Sequence, residues 1–330
     1  MRVETTTTSA AESTSTVSVK TRVMWFLKTP SFIVVVLLLV LARILYPGFY
    51  DWTNVTNIVG QNAGLILVAV GMTYVVITGA FDLSVGAILG LGAIAYARVD
   101  GILVAILAVV LCAVLGSLVG TANGTLVTRF RINPFVATLG TATITVGVAT
   151  VLAGQQALLV TSPAFEWIGR SRYLGLTPAS WFALVAFVVG GLILAKTVYG
   201  RNLYAIGGNP EAARISGISV GLHRASVFVI VGCLSGLAGA ALAAQVGTAQ
   251  ANFGASMALD AIAVVVIGGT SLMGGEGSVW RTGIGIIILA VLNNIFQSLA
   301  FEPAIQQIIK GVIVLSAVGF DAWYVNRRQG

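Results

Sequence analysis

The sequence is poor in charge, in histidine and in cysteine. Its 330 residues hold 18 Lys/Arg and 11 Asp/Glu, 9% of the chain, against roughly 25% in an average soluble domain. A water-facing surface cannot be built from so few charges, so a soluble globular fold is excluded. One histidine, His223, and two cysteines, Cys112 and Cys233, are all the chain has. The cysteines sit in apolar stretches with no CxxC or histidine neighbour, which makes them packing residues and leaves no metal site. No nucleophile–base spacing appears either, so the chain is expected to be no enzyme and to hold no cofactor of its own. No carboxylate or histidine relay runs through an apolar stretch, which argues against a proton-coupled pump.

What is abundant is apolar and small. Hydrophobic residues make up 57% of the chain, glycine contributes 39 more positions, and the mean hydropathy is +0.98. The apolar stretches are continuous runs of about 20 residues rather than alternating short ones, which points to membrane helices and not a barrel. Ten windows stand out, at about 30–46, 57–79, 83–98, 101–127, 134–153, 179–198, 223–246, 257–272, 282–300 and 304–323. The fold class expected is therefore an all-α integral membrane protein with about ten spans, in a single transmembrane domain over 30–324. Residues 1–29, Thr/Ser-rich and without a cleavage site after the first apolar run, read as a disordered cytoplasmic tail, and 325–330 as a second tail.

Charge placement sets the orientation, because short cytoplasmic loops carry the excess of Lys/Arg. With the N-terminus inside, Arg2, Lys20, Arg22, Lys28, Arg129, Arg131, Lys196, Arg201, Arg214, Arg224, Arg281, Arg327 and Arg328 fall on the cytoplasmic side. Arg43, Arg98, Arg170, Arg172 and Lys310 are left outside or near the outer interface. The formal net charge of +7 is then topology, and no nucleic acid is needed to explain it. Two connections are long: an external one at about 154–178, with Trp167, Tyr173 and two prolines, and a cytoplasmic one at about 199–222.

Small residues four apart, Gly60/Gly64, Gly86/Gly90, Gly116/Gly120/Gly124 and Gly232/Gly236, form rows that let helices approach closely. The cytoplasmic connection displays a short helix: Asn209 suits an N-cap, Pro210 the first position, Glu211 the first turn, and Gly217 the C-terminal stop. Taken alone it reads equally as an interfacial helix lying on anionic lipid through Arg201 and Arg214.

The segment Glu211-Ala212-Ala213-x-x-x-Gly217 resembles the coupling-helix motif of bacterial ATP-binding-cassette importers. The words AVGMTYVVITGAFDLSVGAILG at 69–90, NPFVATLGT at 133–141, GRNLYAIGGNPEAARISGI at 200–218 and LDAIAVVVIGGTSLMGGEGS at 259–278 resemble the permease subunits of ribose/xylose-type monosaccharide importers. The resemblance covers about 55–320. It implies a ten-helix, cobalamin-permease-like (type II) fold with both termini cytoplasmic, in the bacterial inner membrane. It also implies partners: a cytoplasmic ATP-binding subunit that holds ATP and Mg²⁺, an extracytoplasmic sugar-binding protein, a second permease copy or a sister permease, and the surrounding lipid. Glu211, Ala212, Ala213, Arg214 and Gly217 are then the residues that couple to the ATPase, and transport proceeds by alternating access. A ribose-derived signalling molecule is an alternative cargo, and a stand-alone secondary transporter or channel the alternative function.

The polar residues at membrane depth are the candidates for a pathway: Gln61, Asn62, Asp82, Ser84, Asp260, Asn293, Asn294 and Lys310. Asp82 falls between two windows, where it reads either as a helix cap or, with Ser84, as part of the cytoplasmic end of the pathway. Asp260 lies one turn past Ser256, itself a possible cap. Asp260 and Lys310 are each expensive alone, so a pair, or separate snorkelling to the outer interface, is expected. The glycine-rich run at 268–278 lacks the Gly-Lys-Ser/Thr ending of a phosphate loop and reads as a tight cytoplasmic turn. Its start, Ile267–Gly275, faintly echoes Ile77–Gly86.

Overall fold

The computed structural model describes residues 30–101 and 104–329. The expected tail over 1–29 lies outside the described residues. The helices, in chain order, are α1 (Pro30–Leu45), α2 (Trp52–Gln61), α3 (Ala63–Ile77), α4 (Val85–Arg98), α5 (Ala105–Thr128), α6 (Pro134–Ala153), α7 (Pro163–Arg170), α8 (Pro178–Lys196), α9 (Val198–Gly208), α10 (Pro210–Ile215), α11 (Val220–Val246), α12 (Met257–Ile267), α13 (Val279–Ser298) and α14 (Pro303–Gln329). The strands among the described residues are two residues long, β1 (Leu158–Leu159) antiparallel to β2 (Thr248–Ala249).

Each apolar window coincides with a helix, and the window at 57–79 with the pair α2–α3. Among the described residues five helices, α5, α6, α8, α11 and α13, are long and apolar enough to cross a membrane, and α2–α3, bent by 49°, makes a sixth. Ile33–Leu45 within α1, α4 and α12 are apolar but shorter. A window measures apolarity, whereas crossing needs helical length. The window at 257–272 stays greasy to Leu272, but its helix stops at Ile267, just before Gly269 turns left-handed at φ 83°. Eleven residues rise about 16 Å, half a hydrocarbon core.

α11 is the centre. Two thirds of its most apolar stretch is buried against 28% for α5 and α6, and α3, α4 and α5 all pack on it. The glycine rows explain how. A methyl group built on Gly116 or Gly120 of α5 would overlap the backbone carbonyls of Gly232 or Phe228, and one on Gly236 the carbonyl of Cys112. On the other flank, a methyl on Gly239 would overlap the Leu89 carbonyl of α4. Backbone therefore lies on backbone, the geometry small residues permit in lipid. Gly60 and Gly64 depart from this use: a methyl on Gly60 meets Ser180 Oγ at 3.7 Å, and one on Gly64 meets Ala238 at 3.7 Å or more, both ordinary contacts without overlap. Cys112 is buried at the crossing and Cys233 half-buried, both as free thiols.

α3 is packed all round, with every residue except Gly64 buried. Cross-helix hydrogen bonds hold it: Tyr74 donates to the Gly190 carbonyl of α8 at 2.6 Å, and Thr73 meets Thr282 of α13 at 2.8 Å. The 154–178 connection folds as β1, α7 and a tight turn. Asp100 ties it to α4 by accepting from the backbone of Thr161 and Ser162, at 2.7 and 3.1 Å.

Substitution at the α5–α11 crossing tests this packing. Gly116→Val is expected to cost about 3 kcal/mol or more by overpacking and to remove the monodisperse peak in detergent. Gly140→Ala on α6, where nothing lies within 4 Å of an added methyl, is expected to unfold at the wild-type temperature or above.

Candidate functional site

The helix bend between α2 and α3 opens a cleft of about 170 Å³. The first turn of α3 forms one wall, the start of α12 and the end of α13 form another, and the last turn of α11 closes the side. Its polar lining is Gln61, Asn62, Thr177, Gln245, Asp260 and Asn293, over an apolar floor that includes Leu65, Leu89, Leu242 and Met257. Four of the eight pathway candidates thus meet in one place.

Their local chemistry differs. Asn62, at the bend, donates its amide to the Ile58 carbonyl at 2.8 Å, covering a carbonyl near the end of α2. Asp260 takes Lys310 of α14 on Oδ2 at 3.5 Å, so the expected pair forms, and neither side chain snorkels separately. Ser256 stands at the N-cap of α12, but its hydroxyl caps no backbone group; it donates to Asp260 Oδ2 at 3.4 Å. Asn293 Oδ1 is buried and has no partner.

Three candidates lie elsewhere. Asn294, one residue and about 100° of helical turn from Asn293, points to α2. There it exchanges hydrogen bonds with Asn54 at 2.9 and 3.3 Å, so it fastens α13 to α2 and does not line the cleft. Asp82 and Ser84 sit beyond the far end of α3, about 22 Å along that helix from its start, and both are wholly buried. The cap position of α4 belongs to Ser84, without a side-chain cap bond. Asp82 instead closes a turn, accepting on Oδ1 from the Ser84 amide at 2.8 Å and hydroxyl at 2.6 Å. Asn123 of α5 donates to Ser84 Oγ and accepts from Thr141 of α6, so this chain of hydrogen bonds pins the start of α4 to two neighbours.

Gln245 and Thr177 are cleft residues that sequence reasoning missed. Thr177 carries an N-cap signature, Thr before Pro178, and it does cap α8 through Ser180 at 3.2 Å. Gln245 could have been noticed as a polar residue in the final turn of an apolar span. α7 holds it in place, with Gly169 packed directly on the Gln245 backbone.

The opposite end of the bundle carries α9 and α10. Asn209 Oδ1 caps α10 by accepting from Glu211 and Ala212, both at 3.0 Å, and Gly217 follows in the left-handed region at φ 83°. Ala213 is buried, whereas Ile215 is 80% exposed. Arg214 reaches both oxygens of Glu211 at 2.7 Å, and this contact holds the guanidinium above its usual range. α9 is anchored beneath: Tyr204 donates to the Gly277 carbonyl at 2.8 Å, and Tyr199 stacks on His223. Gly207 lies against Gly275 and the Ile77 carbonyl, and Gly275 donates to that same carbonyl at 2.9 Å. The glycine-rich run at 268–278 is thus a packed joint between α9 and the end of α3.

Among the described residues no cluster of three or more His, Cys, Asp or Glu could hold a metal ion.

Residues 54–318 match the family described as branched-chain amino acid transport system / permease component. The chain is 42% identical to the ribose import permease protein RbsC of Bacillus subtilis, over 89% of this chain and 92% of that one. It is 36% identical to RbsC of Escherichia coli K12, over 92% and 95%. The L-arabinose transport system permease protein AraH of the same strain is 33% identical, over 88% and 89%. No solved structure matches.

The Asn54–Asn294 exchange is testable by a double-mutant cycle with alanine at each position. Unfolding in mixed micelles is expected to give a coupling of about 0.5–1.5 kcal/mol, the range of interhelical hydrogen bonds in membranes. The cycle of Asn54 with Asn293 is expected to give none.

Proposed function

The chain belongs to the branched-chain amino acid transport system / permease component family, and from that premise we propose that it is the membrane-spanning subunit of an ATP-binding-cassette importer for a ribose-type monosaccharide or related sugar. The observation that carries this reading is similarity at 33–42% identity, over most of the chain, to proteins named as ribose and arabinose permeases. In this reading the chain is a multi-pass protein of the bacterial cytoplasmic membrane with ten spans, both termini inside, and the cobalamin-permease-like arrangement. The coincidence of each apolar window with a helix or helix pair supports the count. A separate cytoplasmic subunit binds ATP and Mg²⁺, an extracytoplasmic protein delivers the sugar, and a second copy or sister permease completes the pathway.

The geometry offers a route for the energy. Glu211, Ala212, Arg214 and Gly217 form the exposed surface on which the ATPase bears, and the buried Ala213 seats that surface on the bundle. Force on α10 passes to α9, then through the contact of Gly207 with Gly275 and Ile77 to the end of α3. α3 is packed on all sides, so it moves as a rod, and its other end forms the cleft wall at the bend. Alternating access then means that ATP-driven motion at α10 reshapes the cleft about 22 Å away. Asp82 and Ser84, held in their buried chain of hydrogen bonds, keep α4 aligned at the inner end.

The family description names an amino acid, and the cleft speaks against one. None of its lining residues is a Lys or Arg, and its one formal charge is the carboxylate of Asp260. The nearest cation, Lys310, is already paired with Asp260, so an amino acid's carboxylate would find no free cation there, whereas a sugar's hydroxyls would find acceptors.

Reconstitution decides among these readings. In liposomes with the ATP-binding subunit and the sugar-binding protein, ATP is expected to drive uptake of D-ribose and not of L-leucine. Glu211→Lys is expected to reduce uptake at least tenfold and to weaken co-purification of the ATPase, with the chain still in the membrane. Uptake by the chain alone, without ATPase, would establish a stand-alone transporter instead.

A further inference from the structure

We infer that the cleft is itself a sugar-selecting site, with Asn293 as its specificity-determining residue. In this scheme selection occurs twice, once on the delivering protein and again on this chain. The inference rests on the reading of this chain as a sugar permease.

The argument begins with an orphan atom. Asn293 Oδ1 is buried without a hydrogen-bond partner, on a residue that lines the cleft. A buried amide oxygen left unpaired costs free energy that a bound donor returns. Its neighbours have the same bias. Asp260 places Oδ2 on Lys310 and Ser256, so the charge is compensated while Oδ1 makes no hydrogen bond among the described residues. Asn62 spends its N–H on the Ile58 carbonyl, so its own carbonyl oxygen is the free side of the amide. Three residues that line one cleft thus each keep an acceptor oxygen without a donor, and the lining itself has no cation.

Such a lining suits a neutral ligand rich in hydroxyl donors, and it disfavours anions. The apolar floor of Leu65, Leu89 and Met257 suits the carbon face of a sugar ring. A site built to pair with a hydroxyl discriminates sharply against the analogue that lacks it, because the buried acceptor is then stranded. Asn293, the acceptor most completely removed from water, therefore imposes the strongest demand. Asn294 cannot substitute for it, being occupied by Asn54.

The test uses the full complex in liposomes, with ATP and with the sugar-binding protein fully loaded. The probes are D-ribose and its 2-, 3- and 5-deoxy analogues, and the readout is the ratio of ribose to analogue uptake. The same delivering protein serves every permease variant, so its own preference cancels in a comparison of ratios. For one analogue, the ratio is expected to fall at least fivefold in Asn293→Leu and to stay within twofold of wild type in Asn293→Asp, which keeps an acceptor. If Asn293→Leu does not assemble, Asn293→Ala is read in its place. Unchanged ratios for all three analogues, in variants whose ATPase is still stimulated by the loaded binding protein, would overturn the inference and leave the permease reading standing. Absence of ATP-driven ribose uptake by the wild-type complex would overturn both.

Discussion

The structure depends on how closely α11 can approach its neighbours. In lipid there is little hydrophobic gain from bringing two apolar helices together, so association rests on van der Waals contact and a few hydrogen bonds. α11 secures that contact by removing side chains from its seams. Gly232 and Gly236 lie on the backbone of α5, and Gly239 lies on the backbone of α4. A bundle joined in this way has little room for side-chain rearrangement at its centre. The consequence is a rigid middle, with polar chemistry displaced to the two ends of the helices.

That division explains why the two candidate functional regions are far apart yet mechanically joined. α3 runs through the packed interior between them, held laterally by Tyr74 on α8 and Thr73 on α13. One of its ends makes the cleft, where the bend at Asn62 interrupts a longer α2–α3 helix. Its other end accepts the Gly275 amide and supports α9. A rigid rod with a bend at one end and a joint at the other is a lever, and a bend between helices is a natural place for rotation.

Much of this was legible in the sequence, for identifiable reasons. Long apolar runs and glycine rows reflect the lipid and the close seams directly. The N-cap by Asn209 and the stop at Gly217 are local chemistry that four or five residues decide. The cost of leaving either charge alone allowed two outcomes for Asp260 and Lys310, a pair or separate snorkelling, and the structure has the pair. What escaped depends on rotation about helix axes and on contacts distant in sequence. Asn293 and Asn294 look alike in a hydropathy profile, yet one faces the cleft and the other faces Asn54, because successive residues are about 100° apart. Asp82 resembles a cap, but the helix begins three residues later, at Val85, and the carboxylate closes the preceding turn. Gln245 enters the cleft because α7, from a connection some 75 residues earlier, packs Gly169 on its backbone.

The faint echo between Ile77–Gly86 and Ile267–Gly275 has a spatial counterpart. The two segments touch: a methyl on Gly274 would meet the backbone of Gly79 at 2.8 Å, and one on Gly79 the Met273 carbonyl at 3.5 Å. Both follow the C-terminal end of an apolar helix, α3 in one case and α12 in the other. Where glycine backbones abut there are no rotamers to absorb a displacement, so movement of one segment must displace the other. Because Gly207 presses on the same place, α3, α9 and α12 share one joint. The cleft has a wall from α3 and a wall from α12, the latter carrying Asp260. Displacement at that single joint therefore acts on both walls at once, which is the geometric requirement for opening or closing a site between them.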